Sequence, residues 1–480
     1  MSTLDKIGAT LVEIADLLCG YPLFFLLIGG GLYLFIRSGA VSLHRLPAAV
    51  KALRQQKSKN SAENIAEEKA STGEISSTHA LLSVIGATVG LGNIAGVAIA
   101  LVMGGPGAIF WMWISAIVGM STKFHEGTLS IMYKGVDREG KHKGGIMYII
   151  EKGLGPKWKP MAVFFAVAGL FGTMCIMNAN QLTEGVTSTF TTPEGLASNS
   201  FLTGIGSTLG LTNESTFKFL IGIAIALVVA LVVLRGIKSI AKVSAVIVPF
   251  MVGVYFVMVL YIILTNLHAL PGAIASIFQE AFNLRAGFGA FAGIAIIGAR
   301  RAALVNDAGI GTASIMHGAS KNTNPVKEGL VAMLGPAIDS GFVCTLTAIA
   351  LLLCGDFTNV EGIKGLEVAM KAFDNAIPGG AYMLMILAAI FALSSMFSYS
   401  YYGTSCAAYL FGEKKARWYT YAFIVSLIVF AVVPVEAAVG MCDLFYALMA
   451  IPTMITLLAL SSKVRTATHH FFNKNTDKPD

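Results

Sequence analysis

The chain has 480 residues, of which 55% are hydrophobic and 13% are charged, a composition that excludes an ordinary water-soluble domain. Glycine is frequent, with 51 residues, and membrane helices use glycine where two backbones approach closely. The net charge of +7 does not indicate nucleic-acid binding, because the basic residues lie in short loops between apolar segments. We therefore expect an α-helical protein whose solvent is the lipid bilayer.

A bilayer core of about 30 Å needs roughly 20 helical residues for each crossing. Apolar segments of about that length predict eleven transmembrane helices, separated by polar loops. The segments are 17–37, 79–102, 107–133, 145–186, 217–234, 239–265, 287–317, 327–354, 380–412, 418–434 and 438–461. Segment 145–186 is too long for one crossing, so we expect its first part, around 151–159, at the inner interface.

The charges of the loops predict the orientation. If the loop after segment 17–37 is cytoplasmic, most Lys and Arg residues of the whole chain fall in cytoplasmic loops, as the positive-inside rule requires. The N-terminus is then outside and the C-terminus is in the cytoplasm. Because the first 16 residues lack a basic start followed by an apolar run, they predict no cleavable signal. We expect a multi-pass protein of the cell (inner or plasma) membrane.

Three polar stretches give further predictions. Residues 41–57 alternate leucines with basic residues, as in an interfacial amphipathic helix, although a solvated linker is the alternative. Residues 60–78 predict a cytoplasmic loop rich in Glu, Ser and Lys. Residues 361–377 have helical periodicity and are predicted to lie across the outer mouth as a lid.

The most informative stretch is 86–96, Gly-Ala-Thr-Val-Gly-Leu-Gly-Asn-Ile-Ala-Gly, in the middle of an apolar segment. Glycines on both sides of Leu91 weaken the helix and free backbone groups near the bilayer midplane, where transporters bind ions and substrates. A helix-packing face of small residues is the alternative, but Asn93 argues against it, since an amide in hydrocarbon needs a partner. A dinucleotide site is excluded, because no strand precedes the glycines and their spacing is wrong.

Several longer motifs resemble those of the alanine or glycine:cation symporter family, and similar segments span most of residues 20–460. The most specific is the tryptophan-rich GGPGAIFWMWISAIVG at 104–119. The others are KFHE at 123–126, GGIMY at 144–148, NDAGIG at 306–311, and DS with CTLTA between 339 and 348. Lys123 and Glu126, three residues apart on one helix, predict a local salt bridge.

The resemblance implies an all-α integral membrane fold similar to that of the leucine transporter, with an extra N-terminal helix before two inverted five-helix repeats. Core helices one and six are then broken at a midplane site. Residues 1–78 would form an outer segment, the extra helix and a cytoplasmic amphipathic linker. The repeats would be 79–265 and 266–462, with core helix one beginning near His79, core helix six near Gly287, and a cytoplasmic tail at 463–480.

The run Gly-Leu-Gly-Asn at 90–93 is also similar to a motif of sodium-coupled neurotransmitter symporters. That likeness implies that the amides of Leu91 and Gly92 receive the substrate carboxylate. The implied sodium ligands are the carbonyls of Gly86 and Val89 together with hydroxyls of core helix eight, at Ser394 and Ser395. Thr88 and Asn93 would form a second ion site or touch the substrate.

Four further residues are expected to line the substrate pocket: Asn178, Asn180, Leu304 and Tyr399. Three of them depart from the family pattern, since Tyr399 stands in place of Trp, Leu304 in place of Phe and Asn178 in place of Gln. Arg301 lies in an apolar segment, where an unpaired charge is costly, so Asp307 or Asp339 is expected to neutralise it as part of a gate. A purely structural ion pair is the alternative role.

These features predict a sodium-coupled symporter that imports a small neutral amino acid, such as alanine, glycine or serine, by alternating access. Its partners would be that amino acid, Na⁺ and the bilayer, with no organic cofactor and no enzymatic reaction. A proton-coupled permease of the same fold is the alternative, with Asp307 and Asp339 as the titrating groups. A channel or a membrane-embedded enzyme is a more distant alternative, since the sequence has neither a repeated filter motif nor a nucleophile elbow.

Overall fold

Long apolar helices dominate the computed structural model, which describes residues 21–57, 73–136, 142–282, 288–355 and 365–476. In the first half of the chain the helices are α1 Tyr21–Arg37, α2 Leu46–Lys57, α3 Ser77–Thr88, α4 Gly92–Gly104, α5 Gly107–Met132, α6 Lys159–Gly172, α7 Ile176–Phe190, α8 Ser200–Leu209, α9 Asn213–Val233 and α10 Ile237–Thr265. Short turns at Val41–His44, Ile146–Ile149, Ile150–Leu154, Pro156–Trp158 and Pro193–Ala197 connect some of them.

In the second half the helices are α11 Leu270–Ala281, α12 Phe288–Val305, α13 Thr312–Gly318, α14 Pro325–Cys354, α15 Gly365–Ala376, α16 Gly380–Phe411, α17 Glu413–Phe430 and α18 Val435–Thr476. The strands β1 Gly135–Val136 and β2 His142–Lys143 pair in antiparallel orientation and form the one sheet of the described residues.

Seven helical units of the described chain are long and apolar enough to cross a membrane: α5, α6 with α7, α9, α10, α14, α16 and α18. The pair α3 and α4 passes the same test together, although it is bent by 56° at its break. Three other predicted segments are shorter, interrupted or more polar here, at 17–37, 287–317 and 418–434. The eleven-helix count therefore stays a prediction.

The core of the structure lies around α5, of whose apolar stretch 72% is buried, whereas only 33% is buried in α9 and in α10. The exposed residues of α9 and α10 are largely aliphatic and aromatic, including Leu231, Val246 and Val257. Apolar side chains on the outer surface suit contact with lipid chains. α5 packs against both α12 and α14, which belong to the second half of the chain.

Several elements differ from the predicted segments. Segment 145–186 contains two helices, α6 and α7, since the backbone turns at Cys175 with a φ of 53°. The helices α8 and α11 lie outside the predicted transmembrane segments. With 10 and 12 residues, they are too short to cross a bilayer, so a search for long apolar segments does not find them. Residues 46–57 form a helix, as the amphipathic prediction expects.

Parts of several predictions lie outside the described residues. These parts are residues 1–20, with the start of the first predicted segment; 60–72, in the predicted cytoplasmic loop; Gly287, where core helix six is predicted to begin; 361–364, at the beginning of the predicted lid; and 477–480, at the end of the predicted tail. The rest of the lid segment is helix α15, one face of which is buried against neighbouring helices.

A buried polar junction, formed by Ser77, His317, Ser320 and Glu328, joins the start of α3 to the region between α13 and α14. Glu328 accepts hydrogen bonds from Ser77 and from Ser320 at 3.0 Å, and its other oxygen lies 2.6 Å from His317 Nδ1. All four side chains are 2% exposed or less. Next to the junction, the Lys321 amide donates to the Ile75 carbonyl at 2.7 Å. The junction lies at the end of the bundle predicted to be cytoplasmic.

A second set of contacts lies at the same end. Lys143 Nζ lies 3.3 Å from Glu74 and 2.8 Å from Glu413, so it links the approach to α3, strand β2 and the start of α17. Burial opposes the charge of this lysine, but Tyr401, Glu413 and Glu74 outweigh burial and raise its pKa. Lys143 therefore stays charged at neutral pH and keeps both ion pairs.

Candidate functional site

A cavity of about 100 Å³ lies between the two broken helices of the bundle. Because roughly 10–15 Å³ of such space holds one water molecule, the cavity has room for several small groups. It is bordered by the α3–α4 break, by α7, by the end of α12, by α16 and by α18. The lining residues are Ala87, Thr88, Gly90, Gly92, Gly96, Gly172, Cys175, Met177, Asn178, Arg301, Leu304, Val305, Asp307, Ser395, Tyr399, Cys442, Asp443 and Tyr446.

The first break separates α3 from α4 at residues 89–91. The Asn93 amide donates to the Gly90 carbonyl at 3.2 Å, and the Ala95 amide donates to the Leu91 carbonyl at 2.8 Å. These bonds start a new helix, α4, after the break. The amides of Leu91 and Gly92 have no hydrogen-bond partner among the described residues. Free amides at the start of a helix attract a negative group, because they add to the positive end of the helix dipole.

The second break separates α12 from α13 at residues 306–311. Asp307 has a φ of 53°, a conformation that is uncommon for residues other than glycine, and Gly309 and Gly311 are also left-handed. Side chains satisfy the freed amides: Ala308 donates to Asn306 Oδ1 at 3.0 Å, and Gly309 donates to Glu126 Oε1 at 2.7 Å. The break is therefore a defined conformation stabilised by hydrogen bonds, and not a frayed helix end.

Two asparagines hold the two breaks in the same way. Asn93 Oδ1 accepts from the Gly90 amide at 2.9 Å, as Asn306 Oδ1 accepts from Ala308. The Asn93 side-chain amide then donates to Asp339, and that of Asn306 donates to Ser340 at 3.2 Å. Since Asp339 and Ser340 are neighbours in a π-helical turn of α14, one turn of helix ties both breaks together.

Hydroxyls from α16 meet the backbone at the end of α3. Ser394 Oγ donates to the Gly86 carbonyl at 2.8 Å, and Ser395 Oγ donates to the same oxygen at 3.3 Å. Both serines are fully buried, and Ser395 also lines the cavity. Three neutral oxygens thus converge at the edge of the first break, and a hard cation prefers such ligands.

A chain of hydroxyl groups connects the second break to the far wall of the cavity. Tyr446 donates to Tyr399 at 2.5 Å, and Tyr399 donates to the Asp307 carboxylate. Thr312 also donates to Asp307 at 3.3 Å. The two tyrosine rings are stacked with an angle of 4° between their planes, and this stacking helps to position the two hydroxyl groups.

The structure brings eight of the predicted site residues into the cavity lining. The eight are Thr88, Gly92, Asn178, Arg301, Leu304, Asp307, Ser395 and Tyr399. The other predicted residues lie outside the lining: Gly86, Val89, Leu91, Asn93, Asn180, Asp339 and Ser394. Asn180 donates instead to the carbonyls of Phe430 and Val433, at 3.3 and 2.5 Å.

The described residues show no ion pair between Arg301 and Asp307 or Asp339, so a gate made of these residues stays a prediction. Within the described chain, both carboxylates take their hydrogen bonds from uncharged groups, Asp307 from Tyr399 and Thr312, and Asp339 from Asn93. The acid on the arginine side is Asp443 of α18, which lies 3.6 Å from Arg300 and lines the cavity with Arg301. The reason is geometric, since the turn at Asp307 carries its carboxylate towards Tyr399.

The predicted salt bridge between Lys123 and Glu126 is wrong. Glu126 reaches across to the second break, where one of its oxygens accepts from Gly309, and its other oxygen is buried without a hydrogen bond. Lys123 Nζ is buried and has no hydrogen-bond partner among the described residues. The hydrogen bond to the Gly309 amide is favoured because a salt bridge along one helix contributes only about 0.2–0.5 kcal/mol.

Sequence reasoning missed Asp443 and Tyr446, which form the α18 side of the cavity. A signal for Asp443 was present, because an acidic residue inside an apolar segment is costly and commonly functional. Cys175 and Met177 had no such signal, and they reach the cavity because the chain kinks between α6 and α7.

Comparison with known proteins identifies the family of the chain. A model of the sodium:alanine symporter family matches residues 4–480. The chain is 37% identical over 457 residues to the sodium/alanine symporter AgcS of Methanococcus maripaludis, covering 94% of each chain. It is 32% identical to the probable sodium/glutamine symporter GlnT of Bacillus subtilis, covering 94% of this chain and 88% of GlnT.

A similar fold occurs in the crystal structure of MhsT in complex with L-phenylalanine. The TM-score is 0.55 at 17% identity, and the match covers 81% of this chain and 89% of MhsT. This structure is the leucine-transporter-like neighbour that the sequence motifs led us to expect. With the family model matched over nearly the whole length, the chain belongs to the sodium:alanine symporter family of membrane transporters.

Proposed function

We propose that this protein is a sodium-coupled symporter that carries a small neutral amino acid across the membrane by alternating access. The observation that carries the proposal is the meeting of Ser394 and Ser395 with the Gly86 carbonyl at the edge of the broken helix. These oxygens, with the Val89 carbonyl nearby in the chain, offer Na⁺ a set of neutral ligands. Thr88 and Asn93 stay candidates for a second ion site.

The substrate carboxylate has a natural partner in the amides of Leu91 and Gly92, which are free at the start of α4. Because the glycines of the first break leave the wall bare of side chains, the carboxylate can approach the backbone closely. Asn178, Leu304 and Tyr399 then surround the amino-acid side chain. A cavity of about 100 Å³ favours a small residue such as alanine, glycine or serine.

Alternating access is proposed to follow the 5+5 architecture, with residues 79–265 and 266–462 as the two repeats and one broken helix in each. Support comes from the matching asparagines at the two breaks, both of which bond to the same turn of α14. Na⁺ bound between α3 and α16 would draw these helices together and close one side of the cavity. Release of the ion would let them separate.

Uptake of labelled alanine into proteoliposomes tests the proposal. An inward Na⁺ gradient should drive concentrative uptake, and replacement of Na⁺ by choline should abolish it. Glycine and serine should compete with alanine, while glutamine tests whether the pocket resembles that of a relative named for glutamine. Uptake that persists unchanged in choline would rule out sodium coupling.

Proton coupling is the second candidate, because Asp307 lines the cavity and Asp339 Oδ2 is buried without a hydrogen-bond partner among the described residues. A relative from Bacillus subtilis is also named a putative sodium/proton-dependent alanine carrier. In the same proteoliposomes, a pH gradient without Na⁺ distinguishes the two. Concentrative uptake under that condition would support proton coupling.

A further inference from the structure

A basic cleft lies away from the central cavity, between the end of α1 and the last turns of α18, and its volume is about 480 Å³. Arg37, Arg45 and Arg465 line it, together with two histidines, His44 and His469. No acidic side chain is among its lining residues. A concave site with three guanidinium groups and no carboxylate attracts an anion.

The arginines of the cleft are available to a ligand. In the part of the chain that the structure describes, no ion pair joins Arg37, Arg45 or Arg465 to a carboxylate. Arg37 Nε is buried and makes no hydrogen bond there. Arg45 is held in position by the ring of Phe472, whose centroid lies 3.9 Å from the guanidinium carbon.

The surroundings of the cleft combine this charge with an apolar rim. Ile36, one residue before Arg37, is 67% exposed, and Leu43, two residues before Arg45, is 54% exposed. Exposed aliphatic side chains beside the end of an apolar helix such as α1 suit contact with lipid acyl chains. A ligand with a phosphate group and an apolar tail fits both parts of the site.

We propose that this cleft binds a phosphate group, with the headgroup of an anionic phospholipid of the adjacent leaflet as its source. The planar guanidinium groups of Arg37, Arg45 and Arg465 would share the phosphate oxygens, since arginine binds phosphate through two parallel hydrogen bonds. Basic pockets between membrane helices are a known setting for anionic lipid headgroups. The bound lipid would link α1 to α18, because residues of both helices line the cleft.

The test uses the full-length chain in a neutral detergent, titrated with dioleoylphosphatidylglycerol and followed by native mass spectrometry. The variant combines Arg37→Gln, Arg45→Gln and Arg465→Gln. The matched control combines Lys414→Gln, Lys415→Gln and Arg417→Gln, which removes the same charge from the first turns of α17. Unfolding midpoints without lipid confirm that both variants are folded, and Arg465→Gln alone replaces the triple variant if it is not.

The cleft variant should bind the lipid roughly 100-fold more weakly, about fivefold for each arginine, while the control keeps the affinity of the unmodified chain. Titration with inorganic phosphate and with dioleoylphosphatidylcholine identifies the source. Inorganic phosphate that displaces the anionic lipid, and that also depends on the arginines, supports a phosphate site filled from solution. Equal affinities of the cleft variant and the control overturn the proposal.

Discussion

At the residue scale, the polar side chains near the cavity form hydrogen bonds mainly with backbone groups. Asn93 and Asn306 satisfy freed amides, Glu126 reaches Gly309, and the serines of α16 bond to Gly86. A buried polar group without a partner is costly in a membrane protein, so each of these hydrogen bonds stabilises one irregular piece of chain. The same contacts put oxygen atoms and free amides beside the cavity.

The serine contacts give a prediction for ion binding. Replacing Ser395 with alanine removes one proposed Na⁺ ligand, so the Na⁺ concentration for half-maximal alanine uptake should rise about tenfold, the effect of roughly 1.5 kcal/mol. Ser398→Ala is the matched control, because Ser398 donates to the Ser83 carbonyl at 2.8 Å and so joins the same two helices by the same kind of bond. Equal effects of the two substitutions would assign Ser395 to helix packing alone.

At the element scale, the two breaks differ in what causes them. The first occurs at glycines on both sides of Leu91, where a helix loses little by stopping. The second includes Asp307, whose left-handed backbone is strained in a residue that carries a Cβ atom, and the surrounding hydrogen bonds must offset that strain. The first break is therefore set by local sequence, and the second by its tertiary contacts.

A prediction separates close packing at the first break from the general effect of losing a glycine. A Cβ atom at Gly90 would lie 2.8 Å from Ser395 Oγ, so Gly90→Ala should move α16 and remove most Na⁺-dependent uptake. Overpacking of this kind costs about 1–3 kcal/mol. Gly253→Ala in α10 is the control, since nothing lies within 4 Å of its added atom and uptake should be unchanged. Normal uptake by Gly90→Ala would show that the α3–α16 contact is adaptable.

At the scale of the whole molecule, the Glu328 junction and the two ion pairs of Lys143 connect several elements at one end of the bundle. These contacts join the chain before α3 to the loop after α13, to β2 and to α17. In an alternating-access cycle such contacts must break whenever the cavity opens to this end. Under the proposed alternating-access cycle, we therefore expect stronger contacts here to make that opening less frequent.

The junction predicts a large loss of stability on mutation. Glu328→Ala removes the acceptor for Ser77, Ser320 and His317 at once, and should lower the free energy of unfolding by about 3 kcal/mol or more. Glu214→Ala is the control, because Glu214 is 56% exposed in its contact with Lys218 and should cost less than about 1 kcal/mol. Denaturant titration of the purified chain measures both, and similar values would show that the junction is dispensable.

The orientation of the chain is a further prediction at this scale. Because the loop charges predict a cytoplasmic C-terminus, a green fluorescent protein fused after residue 480 should fluoresce, and alkaline phosphatase at the same place should be inactive. The reverse pattern would invert the proposed topology. It would also move the basic cleft and the Glu328 junction to the outer face.

The amino-acid sequence by itself determined the helical class, most of the spans, the first break and the family. It could do so because hydropathy, glycine placement and contiguous motifs are local properties. The positions of Gly86, Ser394 and Ser395 could be brought together from sequence only through the family resemblance, since more than 300 residues separate them.

Only the tertiary structure decided which polar groups meet across the bundle. Asp443 faces the arginines, Asp307 turns to Tyr399, and Glu126 bonds to Gly309 and not to Lys123. Reasoning from the sequence favoured partners that are close along the chain. In the folded protein, a buried group pairs with the residue that the fold brings within hydrogen-bond distance. In a bilayer interior, where water cannot substitute, that requirement outweighs sequence proximity.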